Sequence, residues 1–203
     1  NAHTAFIAGI INNAIPKDTT VITNGDDPIC VNLASENKKI YFGIDRLDTD
    51  TEKCENIVQD MVLCPKCGTK LEYEYYRYHH VGKMKCPNCG FGTPKRDYET
   101  TKIDFENKLV TIKDNDKNTE YSYSMVADGI INIYNMLSAI VALKQVGLSD
   151  EKINDALKKT KIVDTRFLQD EVAGKKIVLH LAKGQNPIAC SRVFDYVRKQ
   201  PEK

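Results

Sequence analysis

Thr19-Thr20-Val21-Ile22-Thr23-Asn24-Gly25-Asp26-Asp27-Pro28 decides the fold class. Its first five residues are all β-branched, so each side chain is stiff at χ1 and suits a pleated surface better than a helix. An unbroken run of this kind predicts a strand covered on both faces, as in a parallel sheet. Upstream, Phe6, Ile7, Ile10, Ile11 and Ile15 recur at helical spacing over 4–15 and stop before Pro16, which predicts an amphipathic helix. Downstream, Ile29, Val31, Leu33 and Ala34 suit a short helix, and Lys39-Ile40-Tyr41-Phe42-Gly43 reads as a second strand. Helix, strand, polar turn, helix, strand is an α/β layer. A polar turn at the carboxyl end of a parallel strand is where such sheets hold ligands. Asp26 and Asp27 could there bind a cation or a sugar hydroxyl, or they could cap the helix that follows.

The second decisive stretch is Cys64-Pro65-Lys66-Cys67-Gly68 with its echo Cys86-Pro87-Asn88-Cys89-Gly90. A two-residue gap lets both sulfurs of a tight turn face one ion, and the glycine lets the backbone aim N–H groups at them. Residues 68–85 are long enough for a hairpin that returns the second pair to complete a tetrahedron. Two disulfides a hairpin apart would be a strange pair of redox centres. With no signal peptide opening the chain and Cys30, Cys54 and Cys190 scattered, a reducing cytoplasm is expected. Four cysteines close the coordination shell, so the expected zinc is structural and performs no chemistry.

The ribbon spans 61–98 after an acidic linker over 45–60. It carries seven Lys/Arg against three acids, interleaved with Tyr73, Tyr75, Tyr76, Tyr78, His79 and His80. That mixture suits a single-stranded nucleic acid. It equally suits a ribbon whose lysines balance a doubly negative thiolate centre and whose tyrosines form its small core. His79 and His80 could substitute as ligands, but four cysteines already suffice. A net charge of +1 gives no global argument for nucleic acid or a membrane surface, and no apolar run approaches the roughly 20 residues that span a bilayer.

After the ribbon, 100–105, 108–113 and 119–126 read as an antiparallel meander turning at Asp114-Asn115-Asp116-Lys117-Asn118. A long helix is expected from Asn132 to near Gly147, with Ile133, Met136, Leu137, Ile140, Val141 and Leu143 on one face. Asn132 and Asn135 lie i, i+3 in its first turn, where their amides suit the edge of a purine; capping by Asn132 is the plainer role. A further helix is capped by Ser149. Arg166 sits in a loop, suited to a phosphate or merely exposed. A strand over 176–182 then leads into a helix that cannot bury its own apolar face.

Four segments resemble one family, the Mur ligases, which join amino acids or amines to cell-wall precursors using ATP. Val21 to Pro28 resembles their "NADDP" stretch. Gly129-x-x-Asn132-x-x-Asn135-x-x-Ser138-Ala139 is similar to "GxHNxxNxxAA", with Ile131 at the histidine position. Thr165-Arg166-Phe167 resembles the "GR" loop, and Leu181 to Pro187 the "NP" turn. The ribbon narrows the resemblance to MurT-like ligase subunits of lipid II isoglutaminyl synthase. There, ATP and Mg²⁺ activate a glutamate carboxylate of the lipid II stem peptide as an acyl phosphate, and ammonia from a glutaminase subunit makes the amide.

The resemblance implies an incomplete central domain over 3–162, an inserted zinc ribbon over 61–98 and the start of a C-terminal ligase domain over 163–203. It also implies adenine contacts from Asn132 and Asn135, ATP phosphate contacts from Arg166, and a supporting role for Asp26 and Asp27. The glutaminase and the lipid-linked precursor are the implied partners. No Gly-x-x-x-x-Gly-Lys-Ser/Thr phosphate loop occurs, so this stretch alone is expected to be inactive, without catalytic residues of its own. Uncovered apolar faces would suit a homodimer. The rival reading is a zinc-ribbon module that binds nucleic acid or protein.

Overall fold

The organising element is β2 (Lys39–Ile44), which pairs in parallel with β1 (Val21–Asn24) on one side and with β5 (Tyr98–Asp104) on the other. A computed structural model describes residues 2–59, 61–161, 167–180 and 187–198. β5 continues antiparallel into β6 (Leu109–Asp114) and β7 (Thr119–Ser124), giving a mixed sheet of order β1-β2-β5-β6-β7. β1 is the edge strand and is mostly half-buried, with only Thr23 buried, so its β-branched run overstates its cover.

Before the sheet lies α1 (Ala2–Ala14); α2 (Pro28–Asn32) follows β1. α3 (Ile130–Gln145) lies across the sheet and buries Ile133, Met136, Leu137, Ile140 and Val141 against Ile40, Phe42, Ile44, Val110, Ile112 and Tyr123. Each fully buried aliphatic side chain contributes about 1.5–3 kcal/mol. α4 (Asp150–Lys159) adds Ile153 to this core and is capped by Ser149, whose hydroxyl accepts from the Lys152 N–H. α3 starts at Ile130, two residues before the sequence expectation, because Gly129 occupies the cap with φ 93°. α1 leaves Phe6, Ile7 and Ile10 exposed, so its apolar stripe meets no core among the described residues.

The ribbon is the crossover between the parallel strands β2 and β5, a position usually taken by a helix. Its hairpin comprises β3 (Glu72–Tyr78) and β4 (Val81–Lys85). A second core joins Cys64, Leu71, Met84, Cys86 and Phe91 of the ribbon to Val31 of α2, with Tyr41 and Tyr73 alongside. The insertion is therefore packed onto the strand-end region.

β8 (Phe167–Val172) and β9 (Lys175–His180) form an antiparallel hairpin through Ala173 and Gly174, both at positive φ. β8 escaped the sequence reading, which named no element between the Arg166 loop and the strand over 176–182. α5 (Pro187–Arg198) follows and seats its polar face: Asp195 accepts from Asn56 Nδ2 at 2.8 Å and from the Ile57 N–H at 3.3 Å. Phe194 and Val197 of that helix are exposed.

Candidate functional site

Two structures flank the β1–α2 segment: a thiol cluster whose core includes Val31 of α2, and a buried charge centre on Asp26. The cysteines sit on two matching turns. Cys64 N–H donates to Thr69 O, and Cys86 N–H to Phe91 O. Gly68 and Gly90 both take φ 72°, which turns the chain back over the sulfurs. The four sulfurs lie within 4.8 Å of one another, with Cys64–Cys89 at 3.6 Å and Cys67–Cys86 at 3.5 Å. Sulfurs around a tetrahedral zinc with bonds of about 2.3 Å would stand about 3.8 Å apart, so the geometry fits such an ion. The soft, all-sulfur donor set points the same way. Hydrogen bonds from the Thr69 side chain and backbone bring the Cys67 thiol down to about 6. His79 and His80 are not part of this cluster. His79 is buried with Nδ1 3.0 Å from Val58 O, and His80 Nε2 stands 3.4 Å from Asp27.

The charge centre is built on Asp26, which is 0% exposed. One carboxylate oxygen accepts from the Ile44 N–H at 2.9 Å, Arg77 at 3.1 Å and the Tyr134 hydroxyl at 2.6 Å. The other accepts from Arg96 Nε and Nη2, at 3.0 and 2.6 Å. Arg77 also pairs with Asp50 at 2.7 Å, and Arg96 with Glu99. Burial opposes the Arg77 charge, but Tyr134, Asp50 and Asp26 more than offset it, and its pKa rises. Arg96 is likewise raised by Asp26, Tyr75 and Glu99 against the cost of burial. Burial, then the Asp26 charge, push the Tyr134 hydroxyl well above its usual value. These arginines come from the ribbon hairpin and its exit, neither near Asp26 in sequence. No local pattern signals that contact.

Asp27 is the N-cap of α2, accepting from the Ile29 N–H at 2.8 Å and the Cys30 N–H at 3.4 Å. Burial raises its pKa, but His80 and these two N–H groups bring it below the usual carboxylate value. The Cys30 thiol, beside Asp27, is pushed up to about 12 by burial and by that carboxylate. α3 brings its first turns to the same region through Tyr134. Asn135 is exposed, while Asn132 is half-buried and its amide donates to Asp128 O at 2.6 Å. Arg166 lies outside the described residues.

The ribbon's charges and rings are largely engaged internally. Arg77 and Arg96 pair with Asp26, Lys83 with Glu74, and Lys85 with Glu72. Tyr75 is buried, and Tyr73 stacks on Tyr76 with ring centroids 4.0 Å apart. That weakens the case for a free aromatic, basic face. Among the described residues no helix is long and apolar enough to cross a membrane.

No protein-family model matches the chain. It is 28% identical over 197 residues, 95% of its length, to the lipid II isoglutaminyl synthase (glutamine-hydrolyzing) subunit MurT of Streptococcus pneumoniae. It is 27% identical over 178 residues to the Staphylococcus aureus subunit of the same name, covering 87% of this chain. The chain spans 42% and 38% of those relatives, about two fifths of their length. A solved structure, a pseudomurein peptide ligase type C from Methanothermus fervidus, matches with a TM-score of 0.68 at 26% identity. That match covers 91% of this chain and 35% of the ligase. Over most of its length the chain is thus similar in sequence to MurT subunits of lipid II isoglutaminyl synthase and in fold to a pseudomurein peptide ligase.

Proposed function

We propose that this chain is the nucleotide-facing central portion of an ATP-dependent ligase that forms an amide bond on a cell-wall precursor. The observation that carries this is the alignment with MurT over 95% of the chain, ribbon included. Residues 3–162 are the central domain, 61–98 a structural zinc ribbon held by Cys64, Cys67, Cys86 and Cys89, and 163–203 the start of the following domain. The exposed Asn135, with Asn132 one turn before it, meets the adenine edge, and Arg166 meets the phosphates. Asp26 keeps the strand end in shape from beneath, since its oxygens are fully engaged by protein donors. Asp27 holds α2. ATP with Mg²⁺ supplies the phosphoryl group that activates a substrate carboxylate, and an amine then displaces phosphate to give the amide. The lipid-linked precursor and a glutaminase subunit are the partners in this reading.

A second reading changes only the amine. The likeness to a solved structure titled as a peptide ligase is what supports an amino acid, in place of ammonia, as the amine in this reading. One experiment separates the two. The complete parent protein is incubated with ATP, Mg²⁺ and a lipid-linked stem peptide, with either an ammonium salt or a set of amino acids. ADP release and product mass are followed. ATP-dependent amidation supports the first reading, and addition of an amino acid the second. Neither product from folded, zinc-loaded protein overturns both.

A further inference from the structure

The ribbon touches the β1–α2 loop at every level of structure. The Gly82 N–H donates to Asp26 O at 2.9 Å, so the hairpin backbone holds the loop backbone. Arg77 and Arg96 take both oxygens of the Asp26 side chain. His80, at the hairpin turn, stands against Asp27, the α2 cap. Val31 of α2 completes the ribbon's core. All these partners except Val31 and the aspartates themselves belong to the single crossover between β2 and β5, and the thiol cluster closes that crossover.

We propose that the ribbon is a positioning element for the carboxyl end of β1, in which Arg77 and Arg96 set Asp26 and closure of the thiol cluster by metal is linked to the order of residues 24–30. The physical argument is linkage. A buried carboxylate faced by two arginines is stable only while both are in place, since an unpartnered buried charge is strongly destabilising. The arginines hold position only while the hairpin is folded, and four thiolates around a metal supply much of the folding free energy of a small ribbon. Order at the cysteines therefore favours order at the loop. By reciprocity, any ligand that orders the loop tightens metal binding by the same factor. The inference rests on the metal reading of the thiols and not on which ligand the loop serves.

Amide hydrogen exchange followed by mass spectrometry tests it, with zinc content measured first. Chelation of the zinc-loaded chain should speed exchange in 24–30 by about tenfold or more, while α3 around Leu137 and Val141 stays protected. Alkylation of Cys30, read on its own peptide, should accelerate in parallel. Arg96→Lys and Arg77→Lys should loosen 24–30 without lowering the zinc content, and a folded chain that takes up no zinc overturns the linkage to metal. The proposal is overturned if chelation opens 64–92 and leaves 24–30 protected. It is also overturned if both lysine variants leave the loop unchanged, or if chelation exposes α3 equally, since the ribbon would then support the whole domain and not this loop.

Discussion

Arg96 donates two hydrogen bonds to one oxygen of Asp26, 70 residues earlier in the chain, while Arg77 holds the other oxygen from 51 residues away. Removing the carboxylate charge leaves two buried guanidinium groups facing a neutral amide. Asp26→Asn should therefore cost about 3–5 kcal/mol, the range for breaking one side of a buried ion pair. Urea unfolding of the two proteins measures this, and a loss below about 1 kcal/mol would show that the centre rearranges around the amide.

Gly43 lies under the same centre. A Cβ there would meet Arg96 Nε at 2.3 Å and Asp26 Oδ1 at 2.6 Å, so Gly43→Ala must push apart two side chains that are themselves locked. The expected loss is about 1–3 kcal/mol, the usual cost of overpacking. Gly9 in α1 has nothing within 4 Å of its Cβ position, and Gly9→Ala should stabilise that helix by about 1 kcal/mol. Thermal unfolding of the pair gives opposite signs.

Tyr134 makes stability sensitive to alkali. Burial and the Asp26 charge raise its pKa well above 10.0, whereas the unfolded chain ionises this hydroxyl near that value. The stability it carries is complete below pH 10 and declines as pH rises further, by at most about 1.4 kcal/mol per pH unit for one proton. Tyr134→Phe should flatten the curve between pH 10 and 11 by that one-proton share. At neutral pH it should cost about 1.5–3 kcal/mol through loss of its hydrogen bond to a charged group. An unchanged alkaline slope would assign the effect to other tyrosines.

Asp27 acts at the opposite end of the pH scale. Its pKa lies below 3.8 in the folded chain, so its contribution is full above pH 3.8 and fades as pH falls through the lower folded value. Asp27→Ala removes the α2 cap and should cost about 0.5–2 kcal/mol at pH 7, with the gap from wild type narrowing as pH falls below 3.8 and through the lowered folded value. A gap that persists there would point to packing and not to the charge.

The cysteine cluster was legible because its pattern is local. Two cysteines and a glycine in one turn repeat in the other, and the structure places their sulfurs together. The meander was legible for the same reason, since alternation and a polar turn are short-range signals. What escaped depends on distant segments. Nothing around Asp26 in the sequence shows that Arg77 and Arg96 return to it. The polar docking of α5 through Asp195 inverts the usual expectation that the Phe194 and Val197 face turns inward. The mostly half-buried state of β1 follows from its edge position, which only the sheet order reveals. The pattern singled out Asn132 and Asn135 but passed over their neighbour Tyr134, which reaches Asp26.

The ribbon's place between β2 and β5 has a kinetic side. Tyr41 and Asp97, joined by a hydrogen bond at the parallel pairing, lie 56 residues apart, and bringing them together costs chain entropy that grows with loop length. A hairpin closed by metal between Cys64 and Cys89 would take 25 of those 56 residues out of the loop before the strands meet. Refolding of this chain should thus run faster with zinc present from the start than with zinc added late, so metal supply would act as a clock on assembly of the sheet as well as a brace for the finished one.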